Sequence, residues 1–170
     1  MSGDDELKAL LHARAIALAA PRIVVPVAEV LELIVFRAGT ERYAIDAVVA
    51  DEAIEVGEIT PLPGVPPFYR GLIVEQGVVY PLIDIRPLVG ATASDALVPK
   101  HAILFSGEHT IGIGAETVES FVRIEATSIA PAPTDRPHSP AVRGVTGDGI
   151  TLLDIHLLLA DARLVIDDRD

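Results

Sequence analysis

A chain of 170 residues without a cysteine has no means of forming disulfides, thiol catalysts or zinc ribbons, and it suits a reducing compartment such as the cytoplasm. Its formal net charge of −12 would repel a phosphate backbone, so we expect no nucleic-acid partner. Half of the residues are apolar and only 4% are aromatic, which favours a compact β core built from Val, Ile, Leu and Ala.

Residues 1–30 predict a helical extension followed by a linker. The segment from Asp4 to Ala20 consists of strong helix formers, with acidic residues in its first turn and Pro21 as its stop. Its apolar face is formed by Leu7, Leu11, Ala15 and Leu18, with Leu10 beside it. Such a helix packs on its own domain, frays in solvent or docks on a partner. Neither a secretory signal nor direct membrane insertion is predicted, because charges and prolines interrupt every apolar run.

The strand signals begin at Leu31. Residues 31–36 (LELIVF) and 42–46 (RYAID) flank a short Gly-containing turn and predict a hairpin. A short segment, DEAIEV, and a proline-rich stretch at 59–67 follow. Strands near 70–75 and 78–83, joined across Gln76-Gly77, then predict a second hairpin.

The second half of the chain repeats the landmarks of the first half. Phe105 lies 69 residues after Phe36, the Pro-x-Pro pair recurs after 70, Arg143-Gly144 follows Arg70-Gly71 by 73, and Asp-Ile recurs after 70. One order at almost one offset indicates an internal duplication of about five strands per unit. Short antiparallel strands of this kind tend to close into a small barrel that hides its edges.

Few side chains have spacings that would indicate chemistry. Asp84 and Asp154 each precede a short apolar helical turn and are predicted to be N-caps. The five histidines lack the spacing of metal ligands on one face. A triple of Ser106, His109 and Asp84 can be drawn, but no nucleophile elbow accompanies it. We therefore predict no catalytic site, no metal site and no cofactor.

Four segments together resemble the CheW-like family of bacterial chemotaxis coupling proteins. They are FRAGTERYAID at 36–46, ITPLPGVPPFYRGLIVEQGVVYPLIDIRPLVG at 59–90, IAPAP at 129–133 and GVTGDGITLLDIHLLL at 144–159. The resemblance implies a mainly β fold of two intertwined five-stranded SH3-like β-barrels in residues 31–160, with short helical turns, the N-terminal helix before them and a tail at 161–170. It also implies a cytoplasmic, non-enzymatic adaptor located at membrane-associated receptor arrays. Such an adaptor couples the tips of methyl-accepting chemoreceptors to the regulatory domain of a CheA-type histidine kinase.

The resemblance also points to partner-binding positions. Family members usually read Gly-x-x-Asn-Leu-Arg-Gly where this chain has residues 71–77, so Val74 replaces the Asn and Gln76 replaces the Arg. The resemblance implies that this Arg contacts receptors in the family and pairs with an acid on a neighbouring strand, to which Glu52 corresponds here. With an amide in its place the ion pair cannot form, although a neutral hydrogen bond could. The implied positions are Ala50, Glu52, Gly71, Val74 and Gln76.

Three alternatives follow from these residues. The substituted positions fit a CheW-like protein that binds the kinase, or another CheW-like module, but is decoupled from receptors. Glu52 and Gln76 also fit two solvated side chains on a barrel rim. A small-ligand-binding or hydrolytic β-barrel is the alternative from a different class, and it requires an enclosed pocket with converging polar groups.

Overall fold

The computed structural model of the protein describes residues 29–92, 95–134 and 139–164. The predicted N-terminal helix at 4–20 and the end of the C-terminal tail lie outside the described residues. Within them the chain is mainly β, with little helix, as predicted. The strands are β1 (Val30–Ala38), β2 (Glu41–Asp46), β3 (Glu52–Glu55), β4 (Tyr69–Glu75), β5 (Val78–Ile83), β6 (His101–Ser106), β7 (Thr110–Ala115), β8 (Thr117–Glu125), β9 (Val142–Val145) and β10 (Thr151–Leu153). One α-helix, α1 (Ile155–Leu159), and two 3-10 turns (Ala126–Ser128 and Ala162–Leu164) complete the described elements.

The ten strands form two five-stranded sheets that exchange strands between the halves of the chain. The first sheet has the order β8-β1-β2-β10-β9, and the second has the order β3-β6-β7-β5-β4. Each half therefore places its first hairpin in one sheet and its last hairpin in the other. Replacing every strand by its counterpart five strands away converts one order into the other, as a duplicated unit requires.

The same parallel contact joins the two halves in each sheet. β2 and β10 pair in parallel, with Tyr43 opposite Thr151, and β5 and β7 pair in parallel, with Leu82 opposite Gly112. The remaining strand pairs are antiparallel, including the hairpins β1-β2, β4-β5 and β6-β7. Each sheet thus consists of two hairpins joined by one parallel strand pair, with a fifth strand, β8 or β3, at one edge.

Three apolar clusters explain why the strands read as nearly continuous apolar runs. In β1, Ile34 and Phe36 face a large cluster that contains residues of both sheets, whereas Leu33 and Val35 face a smaller cluster formed by the first sheet alone. In β6, Phe105 faces the shared cluster, and its neighbour Leu104 faces a cluster formed by the second sheet alone. Because neighbouring residues of a strand point to opposite faces, a strand buried on both faces needs apolar residues throughout.

A glycine recurs in the Arg-Gly landmark because a neighbouring segment of backbone leaves no room for a side chain. A Cβ on Gly71 would lie 2.5 Å from the Thr60 carbonyl oxygen and 2.6 Å from Ile59 Cγ2. A Cβ on Gly144 would meet the equivalent atoms of Ala130 and Ile129. Thr60 bridges to Leu72, and Ala130 to Val145, so the segment after β3 and the segment after β8 are tied to strands at the far edges of their sheets.

The two aspartates predicted as N-caps differ in their partners. Asp154 accepts hydrogen bonds from the backbone N–H groups of His156 and Leu157 at 2.9 and 3.2 Å and caps α1, as predicted. Asp84 accepts the N–H of Arg86 at 3.0 Å, and the predicted helical turn follows it as a single turn, in which Val89 N–H donates to the Ile85 carbonyl oxygen at 3.0 Å. The main partner of Asp84 is the Arg86 guanidinium.

Candidate functional site

The β4-β5 hairpin presents two of the predicted positions at its exposed tip. Gln76 and Gly77 form the turn with φ values of 50° and 79°, the left-handed pair that a tight hairpin turn needs. Val74 pairs with Val79 on the outer face, and their exposed fractions are 66% and 50%. Ile73, on the opposite face, is buried. The tip therefore combines an apolar outer pair with a neutral amide in the turn.

The other predicted positions lie in different environments. Gly71 is buried in β4, so it shapes the site by admitting the backbone at Thr60. Ala50 is half-buried against the shared core just before β3. Glu52 is exposed on β3, opposite Leu104 of β6. Of the five positions, Gly71 makes room for a neighbouring backbone and Ala50 borders the shared core. The remaining three, Glu52, Val74 and Gln76, are exposed.

Glu52 and Gln76 belong to opposite edges of the second sheet. β3 forms one edge and β4, which ends at the turn, forms the other. The segment after β3 crosses to β4, where Thr60 and Leu72 exchange two backbone hydrogen bonds of 2.8 and 2.7 Å. Both side chains are within the described residues, and no hydrogen bond joins them there.

An exposed apolar surface on the first sheet was not predicted. Val30, Val48 and Phe121 are 54%, 80% and 69% exposed. They lie beside two neighbouring clefts that share Glu32 and Arg123, whose side chains form an ion pair of 2.8 Å. We call this group the Phe121 surface; it comprises Val30, Glu32, Ala47, Val48, Phe121 and Arg123.

The sequence of β8 contains the signal for this surface. Val118, Val122 and Ile124 are partly buried, whereas Phe121 shares the exposed phase of the strand with Arg123. An exposed aromatic residue among the charged positions of an alternating strand indicates a contact surface, because its side chain contributes nothing to the core of its own domain.

A buried ion pair lies between the two sheets. Arg86 donates to Asp84 through Nε at 3.0 and 3.1 Å and through Nη2 at 2.8 Å, and both residues are buried. Arg86 also reaches Asp95 through Nη1 at 3.3 Å. Hydrogen bonds to Asp84 raise the pKa of Arg86 above its usual value, while burial raises the pKa of nearby Tyr43. These groups connect β5 to the β1-β2 turn, where a Cβ on Gly39 would lie 2.6 Å from Arg86 Nη1.

The end of the described chain is fixed to the first half. Arg163 donates to the carbonyl oxygens of Pro87 and Leu88 at 3.2 and 3.0 Å and to the Asp161 carboxylate at 2.7 Å. The hydrogen bond from Arg163 lowers the pKa of Asp161 below its ordinary value. Tyr69 donates through its hydroxyl to the Leu164 carbonyl at 2.7 Å.

The polar residues from which a catalytic triple could be drawn have other partners. Ser106 donates to Asp51 at 2.5 Å, and Asp84 is held by Arg86. His109 and His156 line an open cleft of about 490 Å³, but no group of three or more His, Cys, Asp or Glu within residues 29–92, 95–134 and 139–164 could hold a metal ion. A small-ligand-binding barrel would enclose a pocket on the face of each sheet that points away from the shared cluster. That face is covered instead by the sheet's own apolar cluster.

Among the described residues, no helix combines the length and apolarity needed to cross a membrane.

Comparison with known proteins accounts for this arrangement of sheets. The CheW-like domain model matches residues 32–163, a span that contains nearly all of both sheets. The chain belongs to the CheW-like domain family.

Two relatives by sequence are named chemotaxis proteins, and a solved structure with a similar fold is named a scaffolding protein. The chain is 27% identical to the chemotaxis protein CheW of Klebsiella aerogenes over 147 residues, which are 81% of this chain and 87% of the relative. It is 24% identical to the chemotaxis protein CheW of Rhizobium meliloti over 131 residues, covering 73% and 84% of the two chains. The crystal structure of the scaffolding protein TtCheW from Thermoanaerobacter tengcongensis superposes with a TM-score of 0.64 and 25% identity, covering 78% of this chain and 94% of that one.

Proposed function

We propose that the chain is a non-enzymatic adaptor of bacterial chemosensory signalling that couples methyl-accepting chemoreceptors to a CheA-type histidine kinase. The observation that carries the proposal is the family match across residues 32–163, which includes strands of both sheets. The names of the relatives, chemotaxis protein and scaffolding protein, support the same role. The adaptor works in the cytoplasm, at membrane-associated receptor arrays.

In this proposal each sheet curves into an SH3-like barrel within a domain of residues 31–160, between the N-terminal extension at 1–30 and the tail at 161–170. The paired bridges from Thr60 to Leu72 and from Ala130 to Val145 support the curvature, because each connects chain leaving one edge strand to the opposite edge of the same sheet. Closing a sheet in this way protects its unpaired edges.

The partner-binding positions of this adaptor are Ala50, Glu52, Gly71, Val74 and Gln76. Val74 supplies exposed apolar area beside a polar turn, which is the composition that protein interfaces use for their anchors and rims. Gln76 can donate and accept hydrogen bonds but adds no charge. Receptor contact at this tip would therefore depend on apolar burial more than on an ion pair.

A second candidate is a CheW-like protein that binds the kinase, or another CheW-like module, but is decoupled from receptors. Gln76 favours it, because a charged anchor is not replaced by an amide at equal strength. Glu52 and Gln76 both lie within the described residues and share no hydrogen bond there, which favours it further.

The two candidates are separated by measuring the two partners independently. The full chain is immobilised, and binding of a receptor cytoplasmic fragment and of the kinase regulatory domain is titrated in separate experiments. The coupling adaptor binds both, whereas the decoupled protein binds the kinase domain alone. Binding of neither would contradict both candidates.

A charge variant then tests the hairpin tip. In the decoupled protein, Gln76→Arg should raise receptor affinity about tenfold or more, because a new charge-assisted hydrogen bond contributes about 1.5–3 kcal/mol. Thr127→Arg, which adds the same charge to an exposed 3-10 turn, is the matched control. Equal effects of the two variants would assign any gain to net charge alone.

A further inference from the structure

We propose that the Phe121 surface is covered, in the free protein, by the amphipathic N-terminal segment of the same chain, residues 4–20. Three of its apolar side chains, Val30, Val48 and Phe121, are more than half exposed. The two clefts beside them are continuous, since both are lined by Glu32 and Arg123. Exposed apolar side chains grouped around adjoining clefts mark a site of contact.

The chain enters the described structure at this surface. Glu29 and Val30 line one of the two clefts, and the Glu29 carbonyl oxygen accepts the N–H of Ala126 at 2.8 Å. This hydrogen bond fixes the point at which residues 1–28 are attached. Whatever precedes Glu29 must therefore start beside the surface.

The lengths fit a segment that folds back over this point. Phe121 pairs with Ile34, so the surface runs along β1 from Val30 for four residues, about 13 Å at the rise of a strand. A helix over residues 4–20 would be about 25 Å long. The eight residues at 21–28 reach at most about 29 Å, which is enough for the helix to turn back along β1.

The composition of the segment complements the surface. Leu7, Leu11, Ala15 and Leu18 supply an apolar face. The three acidic residues of the segment, Asp4, Asp5 and Glu6, stand together at its start, and residues 7–20 carry two basic side chains, Lys8 and Arg14, and no acidic one. The lining of the clefts has the opposite balance, with three carboxylates (Glu29, Glu32 and Asp46) against Arg123 alone. Attachment to the same chain also gives the segment an effective concentration in the millimolar range, which favours it over a free competitor of equal affinity.

The absence of tryptophan from the chain allows a direct test with a single reporter. Phe121→Trp is placed in the full chain, and emission maximum and acrylamide quenching are measured at several protein concentrations. Leu11→Glu is then added to disrupt the apolar face of the segment. Ala9→Glu, which adds the same charge to the opposite face, is the matched control.

If residues 4–20 cover the surface, the tryptophan introduced at position 121 should have blue-shifted emission and weak acrylamide quenching. Neither quantity should change on dilution. Leu11→Glu should shift the emission to the red and raise the quenching constant about twofold or more, whereas Ala9→Glu should leave both unchanged. A reporter that is already exposed in the full chain overturns the proposal. So does protection that weakens on dilution, since a second copy would then be the cover, or protection that Leu11→Glu does not relieve. Val48→Trp is a second reporter at the other end of the surface and should respond in the same way.

A regulatory consequence rests on the proposed function. If a chemosensory partner uses the Phe121 surface, Leu11→Glu should strengthen its binding and Ala9→Glu should not. If Leu11→Glu exposes the reporter but does not strengthen partner binding, the proposal that residues 4–20 cover the surface stands, and the partner does not use this surface. A gain in binding with an exposed reporter in the parent chain would count against the cover alone.

Discussion

The buried Asp84–Arg86 pair should make Arg86→Met one of the most destabilising single changes in the chain. Arg86 is 3% exposed and Asp84 is 6% exposed, and three hydrogen bonds between their side chains measure 2.8 to 3.1 Å. Methionine keeps most of the side-chain volume but leaves the Asp84 carboxylate buried without its counter-ion. Removal of one partner from a buried pair costs about 3–5 kcal/mol, a large part of the ~5–15 kcal/mol that holds a domain together.

Arg37→Met is the matched control for this change. Arg37 forms an ion pair of 3.4 Å with Glu119, but its side chain is 51% exposed, so its loss should cost about 0–1 kcal/mol. The free energy of unfolding is obtained from urea titrations followed by far-ultraviolet circular dichroism. Adding Asp84→Leu to Arg86→Met removes the unpaired charge and should restore more than half of the loss.

Two outcomes would refute this reasoning. An Arg86→Met variant within about 1 kcal/mol of Arg37→Met would mean that water or a local shift satisfies the carboxylate. A double variant no more stable than Arg86→Met would mean that packing, rather than the unpaired charge, causes the loss.

Two further changes test the landmark glycine and the C-terminal anchor. Gly144→Ala should lower the free energy of unfolding by about 1–3 kcal/mol, because its Cβ would meet Ile129 Cγ2 at 2.5 Å. Gly147→Ala is the control and should leave the urea midpoint almost unchanged, because its Cβ meets nothing within 4 Å. Equal midpoints for the two variants would contradict the close contact at Gly144. The lowered pKa of Asp161 adds stability above the ordinary carboxyl pKa of about 3.9, and this stability is lost as the pH falls through the lower folded-state value. The stability difference between the parent chain and Arg163→Gln should therefore be constant near neutral pH and shrink on acidification below about pH 4; a difference that grows in acid would reverse the assigned sign.

Local features of the fold could be read from the sequence because they depend on nearby residues. The turn at Gln76-Gly77 and the cap at Asp154 need only the residues beside them, and both are found where they were predicted. The repeated landmarks predicted a duplicated unit, and the two sheets have equivalent strand orders. Which strands pair between the halves could not be predicted, since the apolar pattern of β2 does not identify β10 as its parallel neighbour.

Long-range contacts explain what the sequence did not predict about side chains. The Asp84 pattern matches that of Asp154, yet only Asp84 has an arginine two residues later, buried between the sheets. Five site positions came from the family resemblance, and the structure shows that Gly71 among them is buried by the backbone at Thr60. The exposure of Phe121 depends on which face of β8 meets the core, and that choice is made only when β1 pairs with it.

The exchange of strands also sets the order in which the protein can be completed on the ribosome. The hairpin of β1 and β2 is finished by residue 46, but its neighbours β8, β9 and β10 end at residues 125, 145 and 153. Until those residues have left the exit tunnel, the apolar faces of an early hairpin have no lasting cover, and such exposed strands are prone to wrong association. A nascent chain of this design therefore keeps these apolar faces incompletely covered for most of its synthesis, and its two halves reach their final packing together at the end.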